Sequence, residues 1–399
     1  MSIASTRPTV RLRPKADARA IRHGFPWVYA DELVLDRRTK GLEPGSIAQL
    51  EDAERRALGA VAVNPVSKIV CRMLDRDPEV QMDTAWFVER LTQALDLRRR
   101  LFDQPYYRLV HAEADGLPGI IIDRFGDTAV LQPNAAWSEQ LIEPLADALA
   151  QVTGVTTIVK NATGRARTLE GLDDHTAILQ GSVDGPIPVP MNGAIYLADV
   201  MGGQKTGLFF DQRPNHAFAA RFARDADVLD VFSHVGGFGL AALAAGATQV
   251  TAIDSSQTAL DMAKEGAAQI GAAARYGILK GDAFDQMEAL SAEDMSFNLV
   301  VCDPPAFAPT KGALDAGLRA YERVARLAAK LVRPGGILVL CSCSHAADLT
   351  RFRNASARGI GRGGRRGVLI HTGFAGPDHP VLPHLAETSY LKALFFRLL

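Results

Sequence analysis

The second half of the chain alternates regularly between apolar strands and helical segments, and this pattern limits its fold more than any other feature. The strands are, in order, VLDVF, VTAID, YGILKGD, FNLVVCD and GGILVLCSC, with a helical segment between consecutive strands. Strands joined through helices pair in parallel, and the right-handed connections place helices on the faces of the sheet. The sequence therefore predicts a doubly wound α/β sheet within residues 186–399.

Two smaller regions precede this sheet. Residues 1–75 contain short apolar runs separated by glycine, proline and charged turns, which is typical of a β-rich module. Residues 76–185 begin with a helix predicted at 84–101 and continue with strands around one helix near 138–151, in α+β order. A stretch rich in Gly and Pro then marks a boundary near 186. Three domains are expected, because single cores stop growing at about 250–300 residues.

The composition is that of a globular protein without a membrane segment. Apolar residues make up 47% and charged residues 22% of the chain, close to the averages for soluble domains. No apolar run approaches the ~20 residues of a membrane span, and the N-terminus lacks a signal-peptide pattern. We therefore expect a cytoplasmic protein. The four cysteines suggest neither a disulfide framework nor a zinc site, so no metal is expected.

The formal net charge of −1 conceals two basic segments. Residues 1–22 carry six basic side chains and one acid, and residues 351–366 carry six arginines and no acid. Local basic patches of this kind attract nucleic acid, although similar runs also occur as solvated surface. The tract RGIGRGGRRG at 358–367 is predicted to form a flexible loop.

A glycine-containing turn follows the first strand of the predicted sheet. Gly236 and Gly237 lie between this strand and its helix, where glycine lets the backbone approach a ligand at the helix N-terminus. The second strand ends in Asp254, whose carboxylate can accept hydrogen bonds from two ribose hydroxyls. Asp282 ends the third strand and would suit an adenine amino group. Together with Phe232, these residues predict a site for an adenosine-containing cofactor; glycines that only form a tight turn are the alternative.

Two reactive side chains are predicted at the same edge of the sheet. Asp303 begins DPPAF directly after the fourth strand, and Cys343 lies at the end of the fifth. Because these strands should be neighbours, the two side chains should converge at the cofactor crevice. Carbon 5 of cytosine is a poor nucleophile, and a thiolate that adds to carbon 6 makes it reactive. Cys343 is therefore the predicted nucleophile, and Asp303 is predicted to stabilise the cytosine ring.

The other two cysteines of this region have a different prediction. Cys302 lies within the fourth strand and Cys341 within the fifth. Free cysteine is among the most buried residue types, so both are predicted to be core residues.

Several motifs together resemble those of the bacterial large-subunit ribosomal RNA 5-methylcytosine methyltransferases that carry an N-terminal PUA domain. These motifs are FPWVYADEL, ADGLPGIIIDRFGD, KTGLFFDQRPN, VFSHVGGF, DPPAF, SCS and YLKALFFRL. The resemblance implies a PUA-like RNA-binding domain at 1–75, a class I (Rossmann-like) methyltransferase sheet at 186–399 and S-adenosyl-L-methionine as cofactor. It also implies a homodimer and a segment that closes over the cofactor. That segment contains Lys205, Thr206, Phe210, Asp211 and Arg213.

The predicted reaction is methyl transfer to carbon 5 of a cytosine in RNA, with large-subunit (23S) ribosomal RNA implied by the resemblance. One alternative is a methyltransferase that acts on an exocyclic amine of a base, for which Asp-Pro-Pro-aromatic is also typical and Cys343 dispensable. A nicotinamide-dependent oxidoreductase is a second alternative, but DPP and SCS offer no hydride-transfer partner. A non-catalytic RNA-binding assembly factor is the third, and it would not need Asp254, Asp303 and Cys343.

Overall fold

The computed structural model describes residues 7–203, 206–385 and 388–399, which form two compact units. The first unit comprises the described residues of Met1–Gly185, Asp199–Gly207 and Pro380–Leu385. The second comprises the described residues of Pro186–Ala198, Leu208–His379 and Ala386–Leu399. The chain thus passes between the units several times. The division into three domains at 75 and 185 is finer than this and stays a prediction.

The N-terminal part of the first unit is a mostly antiparallel sheet in the order β1-β3-β4-β5-β2. Its elements are β1 (Thr9–Arg11), α1 (Ala18–Arg22), β2 (Trp27–Tyr29), α2 (Arg37–Lys40), β3 (Ser46–Glu51), β4 (Ala57–Val63) and β5 (Ile69–Asp75). Alternating residues of β4 belong to two cores: Val61 and Val63 pack in the core of this sheet, and Ala60 and Ala62 in that of the region that follows. Both faces of the sheet are therefore covered within the unit.

The region that follows contains a second sheet, in the order β10-β9-β8-β7-β6. Its elements are α3 (Thr84–Leu101), β6 (Tyr106–His111), β7 (Ile120–Phe125), β8 (Thr128–Pro133), α4 (Ala136–Gln140), α5 (Ile142–Thr153), β9 (Thr157–Ala162), α6 (Arg165–Leu169) and β10 (His175–Gln180). The helix predicted at 84–101 is confirmed; the Asp83 carboxylate caps it by accepting a hydrogen bond from the amide of Trp86 at 3.0 Å. The helix predicted near 138–151 is two consecutive helices.

The second unit is built on a sheet in the order β15-β14-β13-β16-β17-β19-β18. Its elements are β11 (Ile187–Met191), β12 (Ala194–Ala198), α7 (Arg213–Ala220), β13 (Asp227–Val231), α8 (Gly237–Ala244), β14 (Gln249–Asp254), α9 (Gln257–Gln269), β15 (Tyr276–Lys280), α10 (Ala283–Ala292), β16 (Phe297–Cys302), α11 (Leu314–Lys330), β17 (Val332–Ser342), α12 (Leu349–Arg362), β18 (Gly367–Gly373) and β19 (Lys392–Leu398). The strands from β13 to β17 run parallel, and β19 is antiparallel to both of its neighbours. The predicted doubly wound α/β sheet is confirmed.

The register of the parallel strands determines where their carboxyl ends lie. Val231 of β13 is aligned with Ile253 of β14 and with Cys302 of β16, and Cys302 is aligned with Leu340 of β17. The residues that follow these strands therefore lie at one edge of the sheet, which is where open α/β sheets bind ligands. The strands themselves are nearly all apolar and buried, as expected for a sheet covered on both faces.

The loop predicted for the Gly/Arg-rich tract at 358–367 is wrong over its first half, because α12 continues to Arg362. Phe352, Ala355 and Ile360 are buried at helical spacing, so packing against α11 favours the helix despite its glycines. Gly359 allows this packing: a Cβ atom built there would lie 2.4 Å from the carbonyl oxygen of Glu322 in α11.

The charges of this tract are also partly neutralised. The Glu322 carboxylate accepts hydrogen bonds from Arg358, at 3.0 Å, and from Arg362. Arg365 donates to the backbone carbonyls of Ala329 and Val332. These arginines stabilise the α11–α12 pair, so the basic run is not simply a mobile charged segment.

No helix in the three described ranges has the length and apolar character needed to cross a membrane.

Candidate active site

The turn between β13 and α8 has an unusual backbone conformation. Gly236 has φ = 83°, and two residues with side chains, Phe232 and His234, also have positive φ, at 62° and 49°. Such conformations cost on the order of 1–3 kcal/mol each for residues other than glycine and are concentrated at functional sites. A Cβ atom at Gly236 would lie 2.7 Å from the hydroxyl oxygen of Tyr276, so this position requires glycine.

Asp254 lies directly beside this turn. One carboxylate oxygen accepts a hydrogen bond from the amide of His234 at 2.9 Å, and the other accepts one from the amide of Ser256 at 2.9 Å. An ionised carboxylate offers about four acceptor sites, so it retains capacity for ribose hydroxyls. Asp282 is exposed, and its carboxylate caps α10 through the amides of Phe284 and Asp285.

Three half-buried aromatic rings lie near the same edge. The ring centroid of Phe232 is 6.4 Å from that of Phe284 and 6.3 Å from that of Phe307. Together with the strained turn and Asp254, these rings could hold the flat, apolar face of an adenine and its ribose. Phe232 was predicted from the sequence, whereas Phe284 was not, because its place beside Phe232 depends on the fold.

Asp230 is a residue of this site that the sequence analysis missed. It is buried within β13, and its carboxylate accepts a hydrogen bond from the amide of Gly239 at 2.7 Å, which holds the start of α8. Burial raises the pKa of Asp230 to about 7; the charge of Asp254 adds to this effect and the Gly239 bond opposes it. Its second oxygen has no hydrogen-bond partner among the described residues. The signal in the sequence was an acid within the apolar run VLDVF.

Asp303 lies at the end of β16 and is half-buried. Its carboxylate accepts a hydrogen bond from the side-chain amide of Gln212 at 2.9 Å. The amide of Gln212 is in turn oriented by Asn215, whose nitrogen donates to it at 2.7 Å. Gln212 is therefore a second residue that the sequence analysis missed, although it lies within the quoted motif KTGLFFDQRPN.

The four cysteines, all of which lie within the described ranges, differ in exposure. Cys71, Cys302 and Cys341 are buried, and Cys343 is half-buried. Burial raises the pKa of the Cys302 and Cys341 thiols far above the usual value. Cys343 follows β17 directly, at the same sheet edge as Asp303. The structure thus brings these two predicted catalytic residues to one edge.

A polar cluster surrounds the backbone on either side of Cys343. The hydroxyl groups of Tyr321 and Ser344 are 2.7 Å apart, and Ser342 donates to the Tyr321 oxygen at 2.9 Å. The ammonium group of Lys392 donates to the carbonyl oxygen of Ser344 at 2.8 Å. The segment that contains Cys343 is therefore fixed from several directions.

The predicted closing segment has several contacts of its own. Phe210 and Asp211 are buried, and Asp211 accepts a hydrogen bond from the hydroxyl of Tyr390 at 2.6 Å. The guanidinium of Arg213 lies 5.3 Å from the centroid of the Phe210 ring. Thr206 belongs to the first unit, where its hydroxyl donates to Asp123 at 2.5 Å. Lys205 lies outside the described residues, and cofactor contacts for this segment stay a prediction.

The described part of the chain contains no group of three or more His, Cys, Asp or Glu side chains arranged to hold a metal ion.

Comparison with known families defines the class of this protein. Residues 146–397 match the S-adenosylmethionine-dependent methyltransferases, and residues 10–76 match a PUA-like domain. The chain belongs to the family of S-adenosylmethionine-dependent methyltransferases and has an N-terminal PUA-like domain. S-adenosylmethionine is accordingly its cofactor. The strained glycine turn, the acceptor capacity of Asp254 and the aromatic rings fit its adenosine part.

The names of its relatives describe a narrower class than the family does. The chain is 33% identical over 389 residues to ribosomal RNA large subunit methyltransferase I of Alteromonas mediterranea, covering 96% of this chain and 97% of the relative. It is 33% identical over 408 residues to ribosomal RNA large subunit methyltransferase of Deinococcus radiodurans, covering 99% of each.

Solved structures show the same fold. A chain from Streptococcus mutans described as an S-adenosylmethionine-dependent methyltransferase has a TM-score of 0.81 at 17% identity, over 98% of this chain and 100% of that one. A methyltransferase structure solved as a complex with SAH has a TM-score of 0.83 at 18% identity, with the same coverage.

Proposed function

We propose that this protein transfers a methyl group from S-adenosylmethionine to carbon 5 of a cytosine in large-subunit ribosomal RNA. The names of the relatives, which align over nearly the whole chain, support the class of RNA. The PUA-like domain at 10–76 supports an RNA substrate independently of those names. The cytosine and the atom that is methylated are inferred from the chemistry of the site.

The observation that carries this proposal is the position of Cys343. It is the one cysteine that is not buried in a chain whose four cysteines are all described, and it lies at the carboxyl edge of the sheet with Asp303. The turn that contains Gly236 lies at the same edge. A partly accessible thiol beside a cofactor crevice and a carboxylate is the set of groups that covalent catalysis on a base requires.

The proposed reaction uses these residues in sequence. The thiolate of Cys343 adds to carbon 6 of the cytosine, and the electron pair of the 5,6 double bond becomes available at carbon 5. Asp303, held by Gln212, hydrogen-bonds the polar edge of the base and stabilises the ring as its charge changes. When bound, S-adenosylmethionine supplies the methyl group from its sulfonium centre. Water then accepts the carbon 5 proton, the electron pair of that C–H bond restores the 5,6 double bond, and the bond between carbon 6 and sulfur breaks with its electron pair on sulfur, which regenerates the Cys343 thiolate.

The remaining predicted residues are proposed to bind the cofactor. Asp254 would accept hydrogen bonds from the ribose, Asp282 would lie near the adenine amino group, and the turn at Gly236 and Gly237 would approach the ligand. Phe232 would pack against it. The residues Lys205, Thr206, Phe210 and Asp211 would close over it.

Mass mapping of methylation on ribosomal RNA that lacks the modification tests this proposal. The native protein should produce 5-methylcytosine at a defined position, and Cys343→Ala should reduce the rate by on the order of 1,000-fold or more while cofactor still binds. Cys71→Ala is the matched control, because Cys71 is a buried thiol of the N-terminal sheet. If Cys343→Ala keeps its activity, the adduct mechanism is wrong.

The second candidate function is methylation of an exocyclic amine of a base. The placement of Asp303 before two prolines, with the ring of Phe307 close to that of Phe232, favours this candidate, because a carboxylate there can accept a hydrogen bond from an amine. It predicts a methyl group on nitrogen and full activity in Cys343→Ala. The same mapping experiment therefore separates the two candidates.

The proposal also bears on location, because methylation of ribosomal RNA would place the protein in the cytoplasm. The homodimer implied by the family resemblance stays a separate prediction.

A further inference from the structure

Lys392 is a buried lysine next to the proposed nucleophile. It begins β19, its exposed fraction is 4%, and it lies opposite Ser342 in the antiparallel pairing with β17. Its Nζ donates to the carbonyl oxygen of Ser344 at 2.8 Å. This oxygen belongs to the residue directly after Cys343. The amine nitrogen therefore lies beside the stretch of backbone that positions the thiol.

Lys392 is a charged residue at the start of an apolar stretch of β19. The four residues that follow it, Ala393, Leu394, Phe395 and Phe396, are apolar and buried, as expected for an interior strand. A buried ammonium is costly unless a negative group compensates for it. A lysine at this site therefore needs a chemical reason.

The groups that act on Lys392 identify its partner. Burial lowers the pKa of Lys392 to about 8, and the negative charges of Cys343 and, to a smaller extent, Asp348 oppose this effect. Asp348 is exposed, caps α12 and pairs with Arg351. On the other side of Cys343, the titratable groups are the carboxylate of Asp303 at the same sheet edge, the hydroxyl of Tyr321, which is bonded to Ser342 and Ser344, and the buried thiol of Cys341. When protonated, Lys392 places a positive charge next to these groups.

We propose that Lys392 keeps Cys343 in its thiolate form. The neutral amine of Lys392 accepts the proton from Sγ of Cys343: the S–H bond breaks, its electron pair stays on sulfur, and an N–H bond forms. The resulting ammonium stabilises the thiolate until sulfur adds to its target, and the proton stays on nitrogen during that addition. Lys392 acts through Cys343 and is thus a positioning residue. The attack of this thiolate on cytosine rests on the proposed function. The formation of the thiolate by Lys392 does not depend on that function.

The pH dependence of Cys343 alkylation tests this inference on the full-length protein without RNA. Iodoacetamide reacts with thiolate, and mass spectrometry of the peptide that contains Cys343 gives its rate at each pH. The native midpoint should lie below the ~8.5 of a free cysteine. In Lys392→Met, which keeps the length of the side chain and removes its charge, the midpoint should rise by about 1 pH unit or more. Lys392→Arg, which keeps the charge, should stay closer to the native value.

Two results would overturn the inference. One is a native midpoint at or above that of a free cysteine, which needs no variant and decides the question even if Lys392→Met fails to fold. The other is an unchanged midpoint in a Lys392→Met protein that still binds S-adenosylmethionine. If the midpoint shifts as expected but Cys343→Ala still methylates RNA, the thiolate pair stands and the proposed cytosine chemistry fails.

Discussion

Gln212 holds the carboxylate of Asp303 in the candidate active site. Its amide donates to the Asp303 carboxylate at 2.9 Å and is itself oriented by Asn215. We expect Gln212→Ala to lower the rate of methyl transfer by about 10-fold, the equivalent of one lost hydrogen bond to a charged group. The affinity for S-adenosylmethionine should change little. Steady-state kinetics and a cofactor titration measure both quantities.

Gln257→Ala is the matched control for Gln212→Ala, because Gln257 is exposed and its amide donates to Asp261 within α9 at 2.8 Å. It should leave the rate unchanged. Equal rates for the two variants would show that the Gln212–Asp303 contact has no role in the reaction.

The buried Asp230 makes a prediction about pH. Because burial raises its pKa from 3.8 to about 7, its contribution to stability is present below pH 4 and is lost as the pH rises to 7. His216 works in the opposite direction: burial lowers its pKa to about 3, so its contribution is lost as the pH falls below 6.5. In the native protein, the pH dependences of these two contributions to the free energy of unfolding partly cancel between pH 4 and 6.5.

Asp230→Asn should separate these terms, since asparagine still accepts the Gly239 bond but does not titrate. Between pH 5 and 7.5, the free energy of unfolding of the variant should rise relative to that of the native protein by on the order of 1–3 kcal/mol. Urea unfolding at the two pH values measures this difference. A difference that is the same at both pH values would mean that Asp230 is ionised throughout.

At the scale of elements, the glycines of α12 provide an internal comparison. Gly359 lies against α11, where a Cβ atom would meet the Glu322 carbonyl oxygen at 2.4 Å, whereas a Cβ at Gly361 would meet nothing within 4 Å. Gly359→Ala should lower the free energy of unfolding by about 1–3 kcal/mol through overpacking. Gly361→Ala should raise it by about 0.5–1 kcal/mol through helix propensity. Urea unfolding that ranks the two variants the other way would contradict the packing described for α11 and α12.

The helices and strands also show which sequence signals were sufficient to predict secondary structure. The helix at 84–101 was predictable because its buried residues are regularly spaced and Asp83 caps it. The parallel strands were predictable from their apolar runs. The helical half of the tract at 358–367 was not, because its glycines disfavour a helix and the helix depends on contacts with α11, which is distant in sequence.

A residue of the candidate site could be predicted when its position depends on the strand next to it in the sequence, and could not when it depends on a distant partner. Cys343, Asp303 and Asp254 could be placed because each lies at the carboxyl end of a recognisable strand. Gln212 and Lys392 could not, because their partners, Asp303 and Ser344, lie 91 and 48 residues away and are brought close only by the fold. A motif shows that such a residue is present but does not show what it contacts.

At the scale of the whole molecule, the two units are interleaved along the chain. The segments Asp199–Gly207 and Pro380–Leu385 belong to the first unit but lie beyond residue 185 in the sequence. Thr206 in the first of these segments donates to the buried carboxylate of Asp123. If the chain is expressed as two fragments, 1–185 and 186–399, we expect them to purify together, because the second fragment contributes two segments to the first unit.

Fragment 1–185 alone should unfold at a lower urea concentration than it does in the co-purified complex, since Asp123 loses a donor that satisfies it. Affinity purification and urea unfolding measure the two effects. Separate elution of the fragments, with the same unfolding midpoint for 1–185 alone, would show that the units are independent.

The most direct test of the account is to trap the adduct. In unmodified large-subunit ribosomal RNA that contains 5-fluorocytidine, carbon 5 carries fluorine in place of the proton that must leave, so methylation cannot be followed by release of the enzyme. With S-adenosylmethionine, the native protein should form a complex with this RNA that withstands denaturing electrophoresis, and Cys343→Ala should form none. A native protein that methylates normal RNA but forms no such complex, or a complex that persists in Cys343→Ala, would contradict the role given to Cys343.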